Sequence, residues 1–351
     1  MKILVLPGDG IGLEIVLAAM QVLEKANSAY QLNLEFDYED IGFASLEKHG
    51  TTLRPELLEQ AQTYDGIILG TQDHMNYPPP DQGGPNVSAG FRVGLDLFAN
   101  VRPARSRPFL PNKAAGMDLV IMREATEGFY ADRNMYMGWG EMMPSEDMAI
   151  SVRKITAHCS ERIARESFDL AMSRRKHVTA IHKVNSFKMT DGLFLREFRK
   201  VAADYPEVET EEILVDAMAA HLVRSPERFD VVCCTNFYGD ILSDLASELS
   251  GGLGLAGSIN AGADNCCAQA QHGSAPDIAG QNKANPTSMI LSVGMLLEWM
   301  GNHHQNKQLG DVGKVMMTAV DTVLANPETR TADLGGSLMC REFGAAVADS
   351  I

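Results

Sequence analysis

The chain has 351 residues, of which 45% are hydrophobic and 22% charged, a composition typical of folded globular proteins and a length sufficient for two domains. Its formal net charge of −16 argues against nucleic acid or an anionic membrane as a partner, because most of the surface would repel either. An anionic small-molecule substrate would therefore have to bind at a local cluster of arginines.

The first residues predict a β-strand followed by a helix. Residues 2–6 form a short apolar run that ends at Pro7-Gly8, and apolar residues then recur at helical spacing from Ile11 to Val22. The start lacks the apolar length of a signal peptide or a membrane span. We therefore expect a cytoplasmic protein with no membrane partner.

Strand-like and helix-like segments alternate along the rest of the chain. The strand-like runs lie at residues 66–69, 119–122 and 229–234. The helical segments lie at residues 54–61, 160–173, 216–223, 241–249 and 289–300. This alternation predicts the α/β fold class.

Two carboxylates follow the apolar strand at residues 229–234. Asp240 and Asp244 are four residues apart, so in a helix they lie on one face. Carboxylate oxygens suit Mg²⁺ or Mn²⁺, which favours a divalent-metal site. The alternative is that Asp240 only complements the dipole of a first helical turn, and this segment alone leaves that alternative open.

A loop rich in Gly, Pro and Asn occupies residues 271–286. Its small residues allow close approach of the backbone to a ligand, and Asp277 could accept hydrogen bonds from two ribose hydroxyls. An ordinary surface loop is the alternative. The Gly-x-Gly-x-x-Gly match at residues 252–257 follows a helix instead of a strand, so it does not indicate a dinucleotide-binding fold of the Rossmann type.

Seven motifs, in order along nearly the whole chain, resemble those of the metal-dependent β-decarboxylating dehydrogenases. That family acts on isocitrate, homoisocitrate, 3-isopropylmalate and D-malate or tartrate. The motifs are Gly8-Asp-Gly-Ile-Gly12, Leu95-Asp-Leu-Phe-Ala-Asn-Val-Arg102-Pro103, Met122-Arg123-Glu-Ala-Thr-Glu-Gly-Phe-Tyr130, His182-Lys183-Val-Asn185, Val215-Asp216, the segment from Asn236 to Asp244, and the segment from His272 to Pro286.

The resemblance implies a two-lobed isopropylmalate-dehydrogenase-like fold with a non-Rossmann cofactor site and an active site in the cleft between the lobes. Residues 1–99 and 252–351 would form the larger, cofactor-binding lobe. Residues 100–251 would form the smaller lobe, in which an arm at about residues 135–152 would clasp a second subunit. A homodimer with shared active sites is therefore expected.

The same resemblance implies roles for the charged motif residues. The substrate-binding arginines would be Arg92, Arg102 and Arg123, whose guanidinium groups can bind carboxylates through two hydrogen bonds. The metal ligands would be Asp240, Asp244 and, from the neighbouring subunit, Asp216. Lys183, also from the second subunit, would be the base, and Tyr130 the acid.

The resemblance also implies NAD as the hydride acceptor. Asp277 and Ile278 stand where NADP-using relatives carry a Lys-Tyr pair, and a carboxylate there would repel the additional phosphate of NADP. The remaining cofactor-binding positions, which line the adenosine half, would be His272, Gly273, Ser274, Ala275 and Asn285.

Substrate choice is implied by the segment before Arg92, which lines the pocket for the carbon-3 substituent in this family. Asn86 and Ser88 are polar and would leave hydrogen-bonding groups unsatisfied against an isopropyl group, which favours isocitrate or homoisocitrate. The two polar residues stand in swapped order relative to isocitrate enzymes. The alternatives are 3-isopropylmalate, then D-malate or tartrate. A non-catalytic regulatory subunit is disfavoured because the catalytic and metal positions are all present.

Three segments depart from the family pattern. Leu13 replaces a common proline at a helix start, and residues 266–271 replace the usual aromatic-acidic-proline approach to His272. Residues 70–80 form an unusual version of the loop that enters the substrate region.

Overall fold

The computed structural model describes residues 1–351 and divides into two compact units. Unit 1 contains residues Met1–Leu95 and Leu253–Ile351, and unit 2 contains Asp96–Gly252. None of the helices combines the length and the apolar character needed to cross a membrane.

The secondary structure follows the α/β pattern throughout. The N-terminal part of unit 1 comprises β1 (Lys2–Leu6), α1 (Gly12–Tyr30), β2 (Glu35–Tyr38), α2 (Gly42–His49), α3 (Pro55–Ala61), β3 (Gly66–Leu69) and α4 (Val87–Gly94). Unit 2 comprises β4 (Ala99–Arg105), β5 (Asp118–Glu124), β6 (Glu141–Ser145), β7 (Met148–Ser151), α5 (Ala157–Met172), β8 (His177–His182), α6 (Thr190–Ala202), β9 (Glu209–Leu214), α7 (Val215–Arg224), β10 (Val231–Cys234) and α8 (Asn236–Ser250). The C-terminal part of unit 1 comprises β11 (Ile259–Ala261), β12 (Cys266–Gln269), α9 (Thr287–His303), α10 (Lys307–Ala325) and α11 (Cys340–Asp349).

The strands of unit 1 follow the order β2-β1-β3-β12-β11. All neighbours are parallel except β11 and β12, which are antiparallel. β1 and β3 are almost entirely buried, as expected for parallel strands covered by helices. The apolar helix α9 lies against β12 and α10, and it is buried along most of its length.

The strands of unit 2 follow the order β4-β5-β10-β8-β9. The β4–β5 pair is antiparallel and the other pairs are parallel. The main apolar cluster of this unit joins α7 and α8 to the central strands, with fully buried Leu119, Phe229 and Val232 at its centre. Helix α8 therefore packs against the central strands of this sheet, and this matters because the helix carries the predicted metal ligands.

The α/β fold class predicted from the sequence is confirmed. β1 and β3 have the predicted bounds, and the other predicted strands and helices are present within a few residues. Helix α1 continues to Tyr30, eight residues beyond Val22, and the largest difference at a helix start is α8, which begins at Asn236 instead of residue 241. The Asn-Phe-Tyr-Gly sequence at its start is typical of a turn, but Tyr238 and Gly239 are packed against the sheet and complete the first helical turn.

The predicted arm at residues 135–152 contains the antiparallel hairpin β6–β7. Every residue of both strands is exposed. Apolar side chains are concentrated here: Tyr136 is fully exposed, and Met137, Trp139 and Met143 are each more than half exposed. The assembly of the chain stays a prediction.

Candidate functional site

Helix α8 starts directly after the buried strand β10. Thr235 has extended backbone geometry at the N-cap, and the helix then runs from Asn236 to Ser250. Asp240 and Asp244 are consequently one turn apart on the same face, as the sequence predicted.

Arg102 and Arg123 lie on the adjacent antiparallel strands β4 and β5. In the register of these strands Asn100 lies opposite Arg123, so Arg102, two residues further on, presents its side chain to the same face. Gly239 lets α8 approach this face closely, since a Cβ there would lie 2.7 Å from the Cβ of Arg123. Any larger residue at this position would push the carboxylates of α8 away from the arginines.

Arg123 connects two predicted site residues, Tyr130 and Asp240, to Asn236 and is almost fully buried. Its Nε donates to Asn236 Oδ1 at 2.8 Å, its Nη2 donates to the Tyr130 hydroxyl at 2.9 Å, and its Nη1 donates to Asp240. The Tyr130 hydroxyl in turn donates to the second oxygen of Asp240. Tyr130 and Asp240 are therefore held together, with a guanidinium group bonded to both.

Arg102 bridges the two carboxylates of α8. Its Nη1 lies 3.3 Å from Asp240 Oδ1 and 3.3 Å from Asp244 Oδ1, and it donates to Ser243 Oγ at 2.7 Å. Burial, followed by the charge of Arg123, lowers the pKa of Arg102 to about 10, so the group is cationic at pH 7. Two buried cations beside two carboxylates form the kind of arginine cluster that the acidic chain needs in order to bind an anion.

Lys183 and Asp216 form a second cluster in unit 2. Lys183 Nζ donates to Asp216 Oδ1 at 2.7 Å, and this hydrogen bond lowers the pKa of the Asp216 carboxyl. Within one chain, no three His, Cys, Asp or Glu side chains lie close enough to hold a metal ion. Asp216 is thus separate from Asp240 and Asp244, and the three-carboxylate site stays a prediction that involves a second subunit.

The donor chemistry of α8 fits a hard dication. Asp240 and Asp244 offer only oxygen atoms, and both side chains are more than one-third exposed although the arginines beneath them are buried. Carboxylates one helical turn apart with accessible oxygens suit Mg²⁺ or Mn²⁺, whereas zinc would favour His or Cys ligands. The residues that would hold the ion are Asp240, Asp244 and, from the partner, Asp216.

The predicted cofactor loop in unit 1 follows β12 and contains a histidine with an unused ring nitrogen. His272 Nδ1 lies 3.1 Å from the Gly273 carbonyl oxygen, while its Nε2 is buried and has no hydrogen-bond partner. Burial lowers the pKa of His272, which favours the neutral ring. When Nδ1 donates to the carbonyl, Nε2 is left as an acceptor, which suits a ligand that donates a hydrogen bond.

The same loop is fastened to the glycine-rich turn after β1. The Ile11 amide donates to the Ser274 carbonyl at 2.8 Å. Gly10 has φ +61°, and a Cβ there would lie 2.0 Å from that carbonyl oxygen, so only glycine fits. Asp277 is exposed in the short 3₁₀ helix Pro276–Ile278. Ala275, just before it, has the left-handed φ of +37°, a strained conformation of the kind found at ligand sites.

The predicted substrate segment of unit 1 belongs to a hydrogen-bond network of amide and hydroxyl side chains that also includes the guanidinium group of Arg92. Ser88 Oγ donates to Gln269 Oε1 at 3.4 Å, and Gln269 Nε2 donates to Gln72 Oε1 at 3.1 Å. Asn260 donates to Gln269 at 3.2 Å and accepts from Arg92 Nε at 2.9 Å. The side chain of Asn86 caps α4 by accepting from the Ala89 amide, so its oxygen is committed to the helix.

Comparison with known proteins decides the family. A family model described as isocitrate/isopropylmalate dehydrogenase matches residues 2–347. The chain belongs to the isocitrate/isopropylmalate dehydrogenase family.

Several relatives in the isocitrate/isopropylmalate dehydrogenase family match over essentially the whole chain. A 3-isopropylmalate dehydrogenase of Archaeoglobus fulgidus is 41% identical over 348 residues, which covers 99% of this chain and 98% of the relative. An isocitrate/homoisocitrate dehydrogenase of Thermus thermophilus is 41% identical over 352 residues, which covers 100% of this chain and 98% of the relative. The crystal structure of isocitrate dehydrogenase from Methylococcus capsulatus matches with a TM-score of 0.88 at 37% identity. The match covers 99% of this chain and 98% of the Methylococcus capsulatus chain.

Membership in the isocitrate/isopropylmalate dehydrogenase family supports a decarboxylating dehydrogenase of a malate-type acid. It does not select a substrate, because relatives of equal identity carry different substrate names. Sequence reasoning assigned no role to Asn236, Ser243, Asn260 or Gln269. Asn236 and Ser243 stand within a quoted motif, but Asn260 and Gln269 carry no local signal.

His182, next to Lys183, should make the folding stability depend on pH. Its Nδ1 accepts from the Val184 amide at 3.2 Å, which requires an unprotonated nitrogen, and burial lowers its pKa. In the unfolded chain, where the histidine pKa is ~6.5, this side chain binds a proton more tightly than in the folded protein. The folding stability therefore falls as the pH drops below about 6.5. We expect the Tm of His182→Asn, which retains an acceptor, to fall less between pH 7.5 and 5.5 than that of the wild type. His158→Asn, at an exposed site on α5, should show the same fall of Tm with pH as the wild type. An identical fall of Tm in all three proteins would contradict the prediction.

Proposed function

We propose that the protein catalyses the NAD-dependent oxidative decarboxylation of a 3-substituted D-malate, with Mg²⁺ or Mn²⁺ bound by Asp240, Asp244 and the partner's Asp216. The observation that carries this proposal is the cluster in which Arg102 and Arg123 hold Asp240, Asp244 and Tyr130 together. Anion recognition, metal ligands and a proton donor therefore meet at one point.

The residues of the cluster suit the successive steps. Arg102 and Arg123 bind and orient substrate carboxylate groups, since their guanidinium groups offer paired donors. Lys183 accepts the proton of the 2-hydroxyl while the hydride passes to NAD, and Tyr130 donates a proton to the carbon that loses CO₂. When bound, the dication polarises the 2-hydroxyl and stabilises the negative charge that develops on its oxygen.

The substrate we infer carries a polar or carboxylated substituent on carbon 3, as isocitrate and homoisocitrate do. Ser88 and its partners Gln72 and Gln269 offer hydrogen-bonding groups without negative charge. Against an isopropyl group these polar atoms would lose hydrogen bonds to water without replacement, which costs about 1–3 kcal/mol for each unsatisfied group.

We also infer that the protein works as a homodimer. The exposed apolar side chains of the segment 135–150 would be covered by a second copy, and a patch of this kind on a lone chain would be unfavourable. The separation of Lys183 and Asp216 from Asp240 supports the same conclusion, since a partner would have to complete each site.

The test is a substrate panel. Purified protein is incubated with NAD and Mn²⁺ and with isocitrate, homoisocitrate, 3-isopropylmalate, D-malate or tartrate, and NADH formation is followed with and without a chelator. We expect the largest kcat/KM for isocitrate or homoisocitrate and no turnover with the chelator. Failure with all the acids would refute the proposal, and a preference for 3-isopropylmalate would replace its substrate assignment.

Exchanging Gln269 for a carboxylate tests the substituent pocket. We expect Gln269→Glu to lower the kcat/KM for isocitrate relative to that for 3-isopropylmalate by about tenfold or more, because two like charges at about 4 Å repel by about 1–4 kcal/mol. Gln62→Glu adds the same charge at an exposed site of unit 1 and should leave the ratio unchanged. An unchanged ratio in Gln269→Glu would place the substituent elsewhere.

Cofactor choice is tested at Asp277 and Ile278. Asp277→Lys combined with Ile278→Tyr should lower the ratio of kcat/KM with NAD to that with NADP by about tenfold or more, because a repulsive charge facing the additional phosphate becomes attractive. Asp264→Lys makes the same charge change at another exposed position of unit 1 and serves as the control. A constant ratio in the double variant would eliminate Asp277 as the discriminator.

A further inference from the structure

A buried ion pair in unit 2 lies beside the loop that carries Lys183. Asp191, in the first turn of α6, is fully buried and accepts from Arg153 Nη1, and only 5% of the Arg153 side chain is exposed. The aromatic rings of Phe129, Phe187 and Tyr238 lie 4.9–5.5 Å from the Arg153 guanidinium carbon. Exclusion of water strengthens the attraction and makes the loss of either partner costly.

Asp191 holds the backbone of Lys183 directly. Its Oδ2 accepts from the Lys183 amide, and its own amide donates to the Phe187 carbonyl at 3.0 Å. The Phe187 amide closes the turn by donating to the Lys183 carbonyl at 2.8 Å. The backbone position of the lysine therefore depends on the Asp191 carboxylate.

The same pair connects that loop to helix α8. Arg153 Nη2 donates to Oγ1 of Thr235, the N-cap of α8, at 3.1 Å. The Tyr238 hydroxyl, two residues before Asp240, donates to Asp191 Oδ2 at 3.1 Å. Arg153 itself follows the exposed hairpin β6–β7 by two residues. Three segments that carry proposed functional residues thus meet at one buried charge pair.

We propose that Asp191 is the positioning residue for Lys183, and that its ion pair with Arg153 sets the lysine loop relative to the metal-binding end of α8. The inference rests on the proposed function, in which Lys183 is the base. Under that function, Lys183 of one chain acts in the active site of its partner, whereas Asp240 and Asp244 act in the chain's own site. The ion pair connects these two sets of residues. Displacement of a reacting group by about 1 Å can cost about 100-fold in rate, which gives such a residue a large effect without contact with the substrate.

A second ion pair in the same unit also joins a fully buried aspartate to an arginine and to a backbone amide, and it provides a control. Asp230 is fully buried, its Oδ1 accepts from Arg174 Nε at 2.7 Å, and its Oδ2 accepts from the Arg175 amide at 2.8 Å. It stabilises the start of β10 and touches none of the proposed functional residues. Asp230→Asn therefore reproduces the loss of a buried carboxylate without affecting the lysine loop.

The experiment is a double-mutant cycle on the full-length protein. We expect Asp191→Asn to lower kcat by about 10- to 100-fold with KM for the acid substrate within about threefold of the wild type. In the Lys183→Met background the same change should lower the residual kcat by no more than about twofold, because no lysine remains to be positioned. If the Asp191→Asn loss multiplies fully in that background, the effect is structural and the proposal is wrong.

Thermal unfolding and a second variant keep the outcome decisive. Asp191→Asn and Asp230→Asn should both lower Tm, but only the first should lower kcat substantially. If Asp191→Asn does not fold, Arg153→Lys takes its place in the cycle, since it keeps the charge and loses the bond to Thr235. The proposal would be overturned if Asp191→Asn kept the wild-type Tm and kcat and only Asp230→Asn had lowered activity.

The cycle also separates this inference from the proposed function. Absence of turnover in the wild-type protein, or full activity in Lys183→Met, would refute the function or the role of Lys183. Turnover that is lost in Lys183→Met but unchanged in Asp191→Asn would refute the positioning role alone.

Discussion

Replacement of Lys183 by methionine should lower kcat by about 100- to 10,000-fold, the usual contribution of a positioned general base. Methionine keeps most of the length and the unbranched apolar stem of lysine but cannot accept the hydroxyl proton. The 2.7 Å bond to Asp216 would also be lost, although Asp216 is exposed enough for water to solvate it. The measurement is steady-state kcat and KM with the preferred acid, together with Tm.

The matched control for this variant is Lys188→Met. Lys188 lies in the same loop, is exposed, and makes none of the contacts of the proposed site. Its kcat should remain within about twofold of the wild type, as is common for surface substitutions. Turnover at the wild-type rate in Lys183→Met would mean that another group removes the proton.

Substitution of Asp240 by asparagine should lower kcat/KM about as strongly as Lys183→Met lowers kcat, and it should weaken Mn²⁺ binding. Asp240 accepts from Arg102, Arg123 and Tyr130 at once, so neutralising it removes a proposed metal ligand and also leaves two neighbouring buried cations with less compensation. Loss of one carboxylate ligand reduces the affinity for a hard dication because charge attraction dominates such binding. Binding is measured by Mn²⁺ electron paramagnetic resonance and turnover by NADH formation.

Glu248→Gln gives the corresponding control on the same helix. Glu248 lies one turn beyond Asp244 and is exposed, so the change alters the charge of α8 equally without removing a proposed ligand. It should leave the Mn²⁺ affinity and kcat/KM near the wild-type values. Equal metal affinity in Asp240→Asn and the wild type would show that the ion binds elsewhere.

Under the proposed function the two units contribute different parts of the chemistry, so variants in the two units should differ in kind. Unit 2 holds the proposed acid–base and metal-ligating groups, and unit 1 holds the proposed cofactor loop and the hydrogen-bond network around Ser88. Changes at Lys183 should therefore act mainly on kcat, and changes at Asp240 should act on metal binding as well. Changes at Gln269 or Asp277 should act on the choice between substrates or between cofactors.

The sequence alone determined the local elements and the chemical character of the site. Apolar runs such as residues 66–69 are recognisable because a strand buried on both faces must be continuously apolar, and Asp240 and Asp244 share a face because the helical repeat requires it. The order of motifs indicated the family, and the family model confirmed it. These properties depend on neighbours in the chain, so they can be derived without a fold.

Only the tertiary structure decided which distant residues meet. The contact of Arg123 with Asp240 spans 117 positions, and that of Arg102 with Ser243 spans 141. The contact of Gln269 with Ser88 spans 181 positions. The pairing of Asp191 with Arg153 gave no sequence signal either, because an acid in a first helical turn and an arginine after an exposed hairpin are each ordinary. Such contacts arise from strand register and helix packing, which place side chains together regardless of their separation along the chain.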